Sequence, residues 1–289
     1  MEAAKLAMFF NKMEDQKVHC YLCPHNCVIK PGGIGACRAR KNFDGTLYSL
    51  NYGKITSAAM DPIEKKPLYR FKPGSMILSA GTFGCNLKCS FCQNWTIAHE
   101  NPDAYDVTPE ELVDKARELV PDGNIGIAYT YNEPSIWYEF VYDTARLIKE
   151  AGLSNVLVTN GFISKEALEK LLPFVDAMNI DVKAYTASFY YEICKGTLDN
   201  VKETVEIAAK KCHVEVTTLV IPTLNDAVEE IAEMSRWLSS ISSKIPLHLS
   251  RYFPNYKMKD IPPTPKETLV AAREEALKYL DYVYMGNVW

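Results

Sequence analysis

Residues 75–94, SMILSAGTFGCNLKCSFCQN, decide how the rest of the chain is read. The apolar, β-prone run Ser75–Gly84 reads as a strand that leads straight into a loop carrying Cys85, Cys89 and Cys92. Their spacing, C-x3-C-x2-C, places three thiolates on one short loop, where they can wrap a cubane and give a sulfur to each of three irons. Most iron–sulfur cubanes take four cysteines. Three leave one iron open to another ligand, which is a functional rather than a structural arrangement. The alternative on spacing alone is a three-cysteine zinc site completed by a distant His, although zinc sites favour paired C-x2-C units.

Downstream of this loop, apolar β-rich runs alternate with helical periods. Strands are expected at Asn124–Thr130, Asn155–Asn160, Ala177–Val182, His213–Ile221 and Ile245–Tyr252. Helices are expected at Pro109–Val120, Ser135–Ala151, Lys165–Leu172, Asn200–Cys212, Ala227–Ser240 and Lys266–Tyr279. Thr108-Pro109-Glu110-Glu111 supplies a helix start, with Thr as cap and Pro in the first turn. Six strand–helix units in series predict an α/β fold with a parallel sheet, a partial (β/α)6 barrel two units short of the closed form. Residues 1–72 then form a small cysteine-containing N-terminal extension and lead-in, and residues 73–289 the barrel.

Parallel β/α architectures carry their chemistry at the carboxyl ends of the strands. The cysteine loop follows the first strand here, Thr130-Tyr131-Asn132-Glu133-Pro134 the second and Thr159-Asn160-Gly161 the third. Asp181-Val182-Lys183 ends the fourth, Pro222–Asp226 follows the fifth, and Arg251-Tyr252 ends the sixth. Polar and ionisable groups thus converge on one mouth.

Composition bounds the alternatives. A chain of 289 residues with 47% apolar and 24% charged residues sits on the globular average. A net charge of −4 argues against a nucleic-acid binder, which usually carries a basic footprint. No apolar run is long enough to span a membrane. The opening MEAAKLAMFFNKMEDQK is too acidic for a secretory leader, so a cytoplasmic protein is expected. Nine cysteines in such a setting point to metal or redox chemistry. Besides the first three, Cys20, Cys23, Cys27 and Cys37 form a second group, C-x2-C-x3-C-x9-C. It reads either as a structural zinc site stapling residues 18–40 or as an accessory iron–sulfur cluster passing electrons to the barrel, and His25 could replace one ligand. Cys194 and Cys212 read as small buried side chains.

The stretch Gly84–Asn94, with an aromatic before its last cysteine, resembles the cluster motif of radical S-adenosylmethionine (SAM) enzymes. The barrel loops resemble the pyruvate formate-lyase activating enzyme branch. The block Asp61-Pro62-Ile63-Glu64-Lys65-Lys66-Pro67-Leu68-Tyr69 and the motif Tyr129–Pro134 resemble the radical SAM member of the AmmeMemoRadiSam group. The resemblance runs from about Cys20 to the last residues. It implies a [4Fe-4S] cluster on Cys85, Cys89 and Cys92, with SAM on the open iron. Reductive cleavage of SAM would give a 5′-deoxyadenosyl radical that takes hydrogen from a protein or peptide-like substrate. It also implies Memo-like or AMMECR1-like partner proteins and an electron donor such as ferredoxin or flavodoxin. The competing class is an iron–sulfur electron-transfer protein without SAM chemistry.

Residue by residue, the resemblance puts Asn132 and Glu133 at the SAM amino group and Thr159-Asn160 in the turn beside SAM. Val158 stands where the family often has an Asp associated with a bound cation, which argues against that cation here. Asp181 and Lys183 match an Asp-x-Lys that contacts SAM, and alternation puts both on one face of the strand. Val220 matches an apolar edge near adenine, Arg251 joins the set at the end of the sixth strand, and Phe253 replaces a ribose-contacting His, with His248 five residues earlier. Relatives often extend into a cysteine-rich ribbon after a Gly-Asn-Val segment, and the sequence given reads Gly286-Asn287-Val288-Trp289 there, so no third metal site is expected.

Overall fold

The computed structural model describes residues 5–288, so Met1–Ala4 of the stretch weighed as a leader, and Trp289, lie outside the described residues. Its centre is one eight-stranded sheet of β1 (Ser57–Pro62), β2 (Met76–Gly81), β3 (Asn124–Tyr129), β4 (Ser154–Thr159), β5 (Ala177–Asp181), β6 (His213–Val220), β7 (Leu247–Arg251) and β8 (Val283–Gly286), in chain order across the sheet. From β2 to β8 every neighbouring pair is parallel. β1 pairs with β2 antiparallel and closes one edge. The six expected strands are present within a few residues of their expected ends. The two edge strands, β1 and β8, are additions. Because β1 lies within residues 1–72, the extension and the barrel share this sheet.

The intervening helices are α1 (Pro109–Glu118), α2 (Tyr138–Glu150), α3 (Lys165–Leu171), α4 (Leu198–Ala208), α5 (Val228–Ile241) and α6 (Lys266–Ala276). α1 begins where its cap demands: Thr108 Oγ1 accepts from the Glu111 N–H at 3.2 Å, and the Glu111 carboxylate accepts from the Thr108 N–H at 2.8 Å. α2 buries Val141, Thr144, Ala145 and Ile148, the three-and-four spacing of a helix lying on a sheet. No helix among the described residues is long and apolar enough to cross a membrane.

The N-terminal extension adds two small antiparallel sheets. One orders Lys5–Leu6, Thr46–Ser49 and Arg40–Phe43; the other orders Phe10–Lys12, Val18–Cys20 and Cys27–Ile29. A buried ion pair between Arg40 and Glu139 fastens them to α2, with both side chains 1% exposed. Breaking such a pair leaves an uncompensated buried charge, so it fixes the docking geometry.

The segment between β1 and β2 fills the sheet's interior. Ile63 and Leu68 pack on Ile77, Ala128, Val156 and Ala177, one inward residue from each of β2 to β5. Near the amino ends of the strands the fully buried Glu215 carboxylate accepts the N–H groups of Tyr69 and Arg70 at 3.0 and 2.7 Å, and meets the rings of His213 and His248 at 2.9 and 2.6 Å. Burial would raise the pKa of this carboxyl, but these partners outweigh it and hold it down to about 2. The plug is thereby sealed at one end of the barrel, leaving the carboxyl ends of the strands open.

Glu215→Gln is expected to lower unfolding free energy at neutral pH by about 1.5–3 kcal/mol, the usual worth of hydrogen bonds to a charged group. Because the folded pKa lies below the ordinary 4.5, the wild-type contribution is complete above pH 4.5 and drains away as pH falls towards 2. Denaturant titrations at pH 7 and pH 3 should therefore show the wild type and Glu215→Gln converging in acid; a constant gap would contradict this role.

Candidate active site

The carboxyl ends of β2 to β7 surround a cavity of about 350 Å³, in the range of small-molecule sites. Cys85, Cys89 and Cys92 line one wall, and Glu133, Asp181 and Lys183 line the others. Both flanks of Cys89 are tied to a π-turn at Tyr190–Cys194: Lys88 N–H donates to Cys194 O at 2.8 Å and Ser90 N–H to Ile193 O at 3.3 Å. Single π-turns of this kind are frequent at functional sites. Cys194, read from sequence as a small buried residue, is buried and stands beside Cys89. Its hydrogen bond, aided by the nearby Lys183, lowers the Cys89 pKa, whereas burial pushes Cys92 up to about 11 and Cys85 well up. Among the described residues no three His, Cys, Asp or Glu side chains meet around one ion-sized point. A cubane needs a different arrangement, in which each thiolate takes its own iron. Three soft sulfur donors on one loop, facing a cavity with a cation across it, fit that group.

Glu133 is buried, and its carboxylate accepts from Ser135 N–H at 2.9 Å, Thr159 Oγ1 at 2.7 Å and Asn160 N–H at 2.7 Å. Burial still raises its pKa despite these donors. A carboxylate has about four lone-pair positions, so one acceptor site remains for a donor arriving from the cavity. Asn160 continues the network: its amide donates to Asn86 Oδ1 at 2.9 Å and lies 3.6 Å from Cys85 Sγ. Asn132 lines the cavity, but its amide accepts from Thr82 N–H at 3.1 Å and donates to Gly84 O at 2.9 Å. Asn132 thus braces the strand that carries the cysteine loop.

Asp181 and Lys183 share a face, as expected, and pair at 2.6 Å. Burial disfavours the Lys183 ammonium, but Asp181 and Cys89 outweigh that and raise its pKa. Its backbone is fixed on both sides, the N–H by Tyr190 Oη at 3.0 Å and the carbonyl by Asn225 Nδ2 at 2.7 Å. Val220 and Arg251 require correction, because neither lines the cavity. Leu219 and Ser250 do. Inward positions on β6 are Glu215, Thr217 and Leu219, and on β7 His248 and Ser250, so Val220 and Arg251 point to the helix side by alternation. Arg251 Nε donates instead to Thr264 O at 2.7 Å. His248, the alternative to Phe253, is a clamp on Glu215 rather than a cavity residue.

One part of the rim had no chemical role in the sequence reading. Lys66, 3% exposed, donates to Asp61 Oδ2 at 2.8 Å, and Tyr131 Oη donates to the same oxygen at 2.8 Å. Burial opposes the charge on Asp61, yet these two partners hold its pKa down to about 2, while burial lowers that of Lys66. Tyr131 takes φ = 70°, an uncommon conformation for a non-glycine residue, which turns its ring beneath the Lys66 ammonium. Lys65, 69% exposed, stands at the opening. The signal in the sequence was the pair of lysines between two apolar anchors, Ile63 and Leu68. A wider, shallower depression of about 540 Å³ lies at the amino end of β6 beside Cys212 and Lys244, away from this chemistry.

Comparison with known proteins identifies the family. The Radical SAM superfamily model matches residues 80–237, from the end of β2 into α5. An uncharacterized Methanocaldococcus jannaschii protein is 48% identical over 289 residues, covering 98% of this chain and 85% of its own. The pyruvate formate-lyase-activating enzyme of Clostridium pasteurianum is 27% identical over 218 residues, covering 68% of this chain and 87% of its own. Among solved structures, Streptococcus suis SuiB bound to S-adenosylmethionine aligns with a TM-score of 0.57 at 14% identity, over 73% of this chain and 51% of that one, a likeness of fold. With the matched segment spanning more than half the sequence and containing all three cysteines of the loop, the chain belongs to the radical SAM superfamily.

Proposed function

We propose that this protein binds a [4Fe-4S] cluster through Cys85, Cys89 and Cys92 and cleaves SAM reductively to abstract hydrogen from a protein or peptide-like substrate. The observation that carries the reading is the convergence of those thiols, Glu133, and the Asp181–Lys183 pair on one cavity at the strand ends. Cys85, Cys89 and Cys92 would hold the cluster, which when bound and reduced would supply the one electron that reductive cleavage of SAM requires. The remaining work falls to the chain. Lys183 offers an ammonium to the SAM carboxylate, and the free acceptor position of Glu133 takes the SAM amino group. Thr159 and Asn160 hold Glu133 in place, and Asn160 steadies Cys85. Cys194 supports Cys89 from behind. Asp61 fixes Lys66 and Tyr131, which line the mouth.

Action on a protein is supported by similarity to an activating enzyme over 68% of this chain. The block Asp61–Tyr69 supports membership of the AmmeMemoRadiSam group, with Memo-like or AMMECR1-like partners and a ferredoxin or flavodoxin as reductant. A reducing cytoplasmic setting suits a protein whose nine cysteines are all free thiols.

Two outcomes test this reading. Cys89→Ala should hold no cubane after anaerobic reconstitution and form no 5′-deoxyadenosine from SAM; full activity in that variant would remove the cluster assignment. Lys183→Ala should retain its cluster and melting temperature but bind SAM about ten- to a hundredfold more weakly, the equivalent of about 1.5–3 kcal/mol for a lost charged contact. Calorimetric titration of cluster-loaded protein decides, and unchanged affinity would make Lys183 an ordinary strand-end charge.

A further inference from the structure

We propose that Cys20, Cys23, Cys27 and Cys37 bind a single zinc ion, and that this staple braces the loop carrying Cys85. Cys20 and Cys27 are register partners on adjacent antiparallel strands. Cys23 lies on the turn between them, closed by Asn26 N–H donating to Cys23 O at 3.1 Å. Cys37 arrives from the far side, and all four line one cavity. The free space among them is about 10 Å³, the room of one ion- or water-sized occupant. A single ion therefore demands less displacement of these side chains than a cubane, which favours zinc over the accessory cluster.

A second observation points the same way. Arg40 lines this cavity, is buried, and its Nε has no hydrogen-bond partner. Its Nη1 lies 3.8 Å from Cys20 Sγ. A buried orphan donor is costly in an ordinary core. Arg40 already pairs with Glu139 and donates through Nη1 to Met8 O at 2.6 Å, and a tetrathiolate, which carries excess negative charge even around zinc, would give the guanidinium a further counter-charge. The four thiols surround the cavity without yet meeting at one point, so binding requires their side chains to turn inward onto Zn–S bonds of about 2.3 Å. His25 also lines the cavity, with its Nε2 2.6 Å from Asn86 O, and the four cysteines complete a tetrahedral set without it.

That contact is half of the brace. The other half is Gly84, where φ is +90° and a Cβ would stand 2.6 Å from Cys37 O. The residues on both sides of Cys85 therefore rest directly on the four-cysteine segment. Only the bracing role rests on the cluster reading of Cys85; zinc binding does not.

The test uses full-length protein without cluster and without SAM, so that its failure is separable from failure of the SAM reading. Elemental analysis should give one zinc per chain. Cobalt(II) substitution should give tetrahedral tetrathiolate absorption, lost in Cys23→Ser/Cys27→Ser. Stripping zinc with a chelator should speed hydrogen exchange of the amides from Asn86 to Lys88 at least tenfold while leaving those of β5 unchanged. Absence of zinc, or an intact-mass signature of a Cys20–Cys27 disulfide, would overturn the zinc site. Zinc binding with unaltered exchange at Asn86–Lys88 would overturn the brace.

Discussion

A buried carboxylate is tolerable only where donors replace the water it has lost, and at Glu133 they come from two different loops. Ser135 belongs to the turn after β3, and Thr159 and Asn160 to the turn after β4. Through Asn160 the same network reaches Asn86 and Cys85 on the loop after β2. Three consecutive strand ends are thus locked to one another by a single charged group. Losing that group would leave several buried donors unmatched, so the mouth holds its shape as a unit rather than loop by loop.

The two ends of the barrel use the same physics for different purposes. At the amino end Glu215 gathers two histidines and two backbone N–H groups and closes the interior around Ile63 and Leu68. At the carboxyl end Glu133 keeps an unused acceptor position, three thiols face the cavity, and the Lys183 ammonium stands in the field of Asp181 and Cys89. The first arrangement is saturated and rigid. The second leaves capacity for a ligand, which is what separates a structural polar network from a site.

Much of this was legible in the sequence because buried parallel strands write continuous apolar runs, and the helices between them carry a clear period and, at Thr108, a capping box. The three cysteines and the Asp181–Lys183 pair followed from their place at strand ends. β1 and β8 were not legible, since SAAMDP is mixed and VYMG is only four residues long. Val220 and Arg251 went astray because the inward parity of β6 and β7 is set by Glu215 and His248, a pair 33 residues apart whose contact no local pattern reveals. The same holds for Asp61 with Tyr131, and for Cys194 behind Cys89: these are meetings made by the sheet, not by neighbouring residues.

The central claim is that the open iron of a cubane on this loop and the cavity beside it together receive SAM. Electron paramagnetic resonance of the dithionite-reduced, reconstituted wild-type protein, recorded with and without SAM, tests it most directly. The account predicts that SAM shifts the g-values of the reduced cluster, and that on turnover the signal is lost in step with release of 5′-deoxyadenosine. A cluster that reduces normally but whose spectrum is indifferent to saturating SAM would contradict it, and would make the chain an electron carrier built on a radical SAM fold.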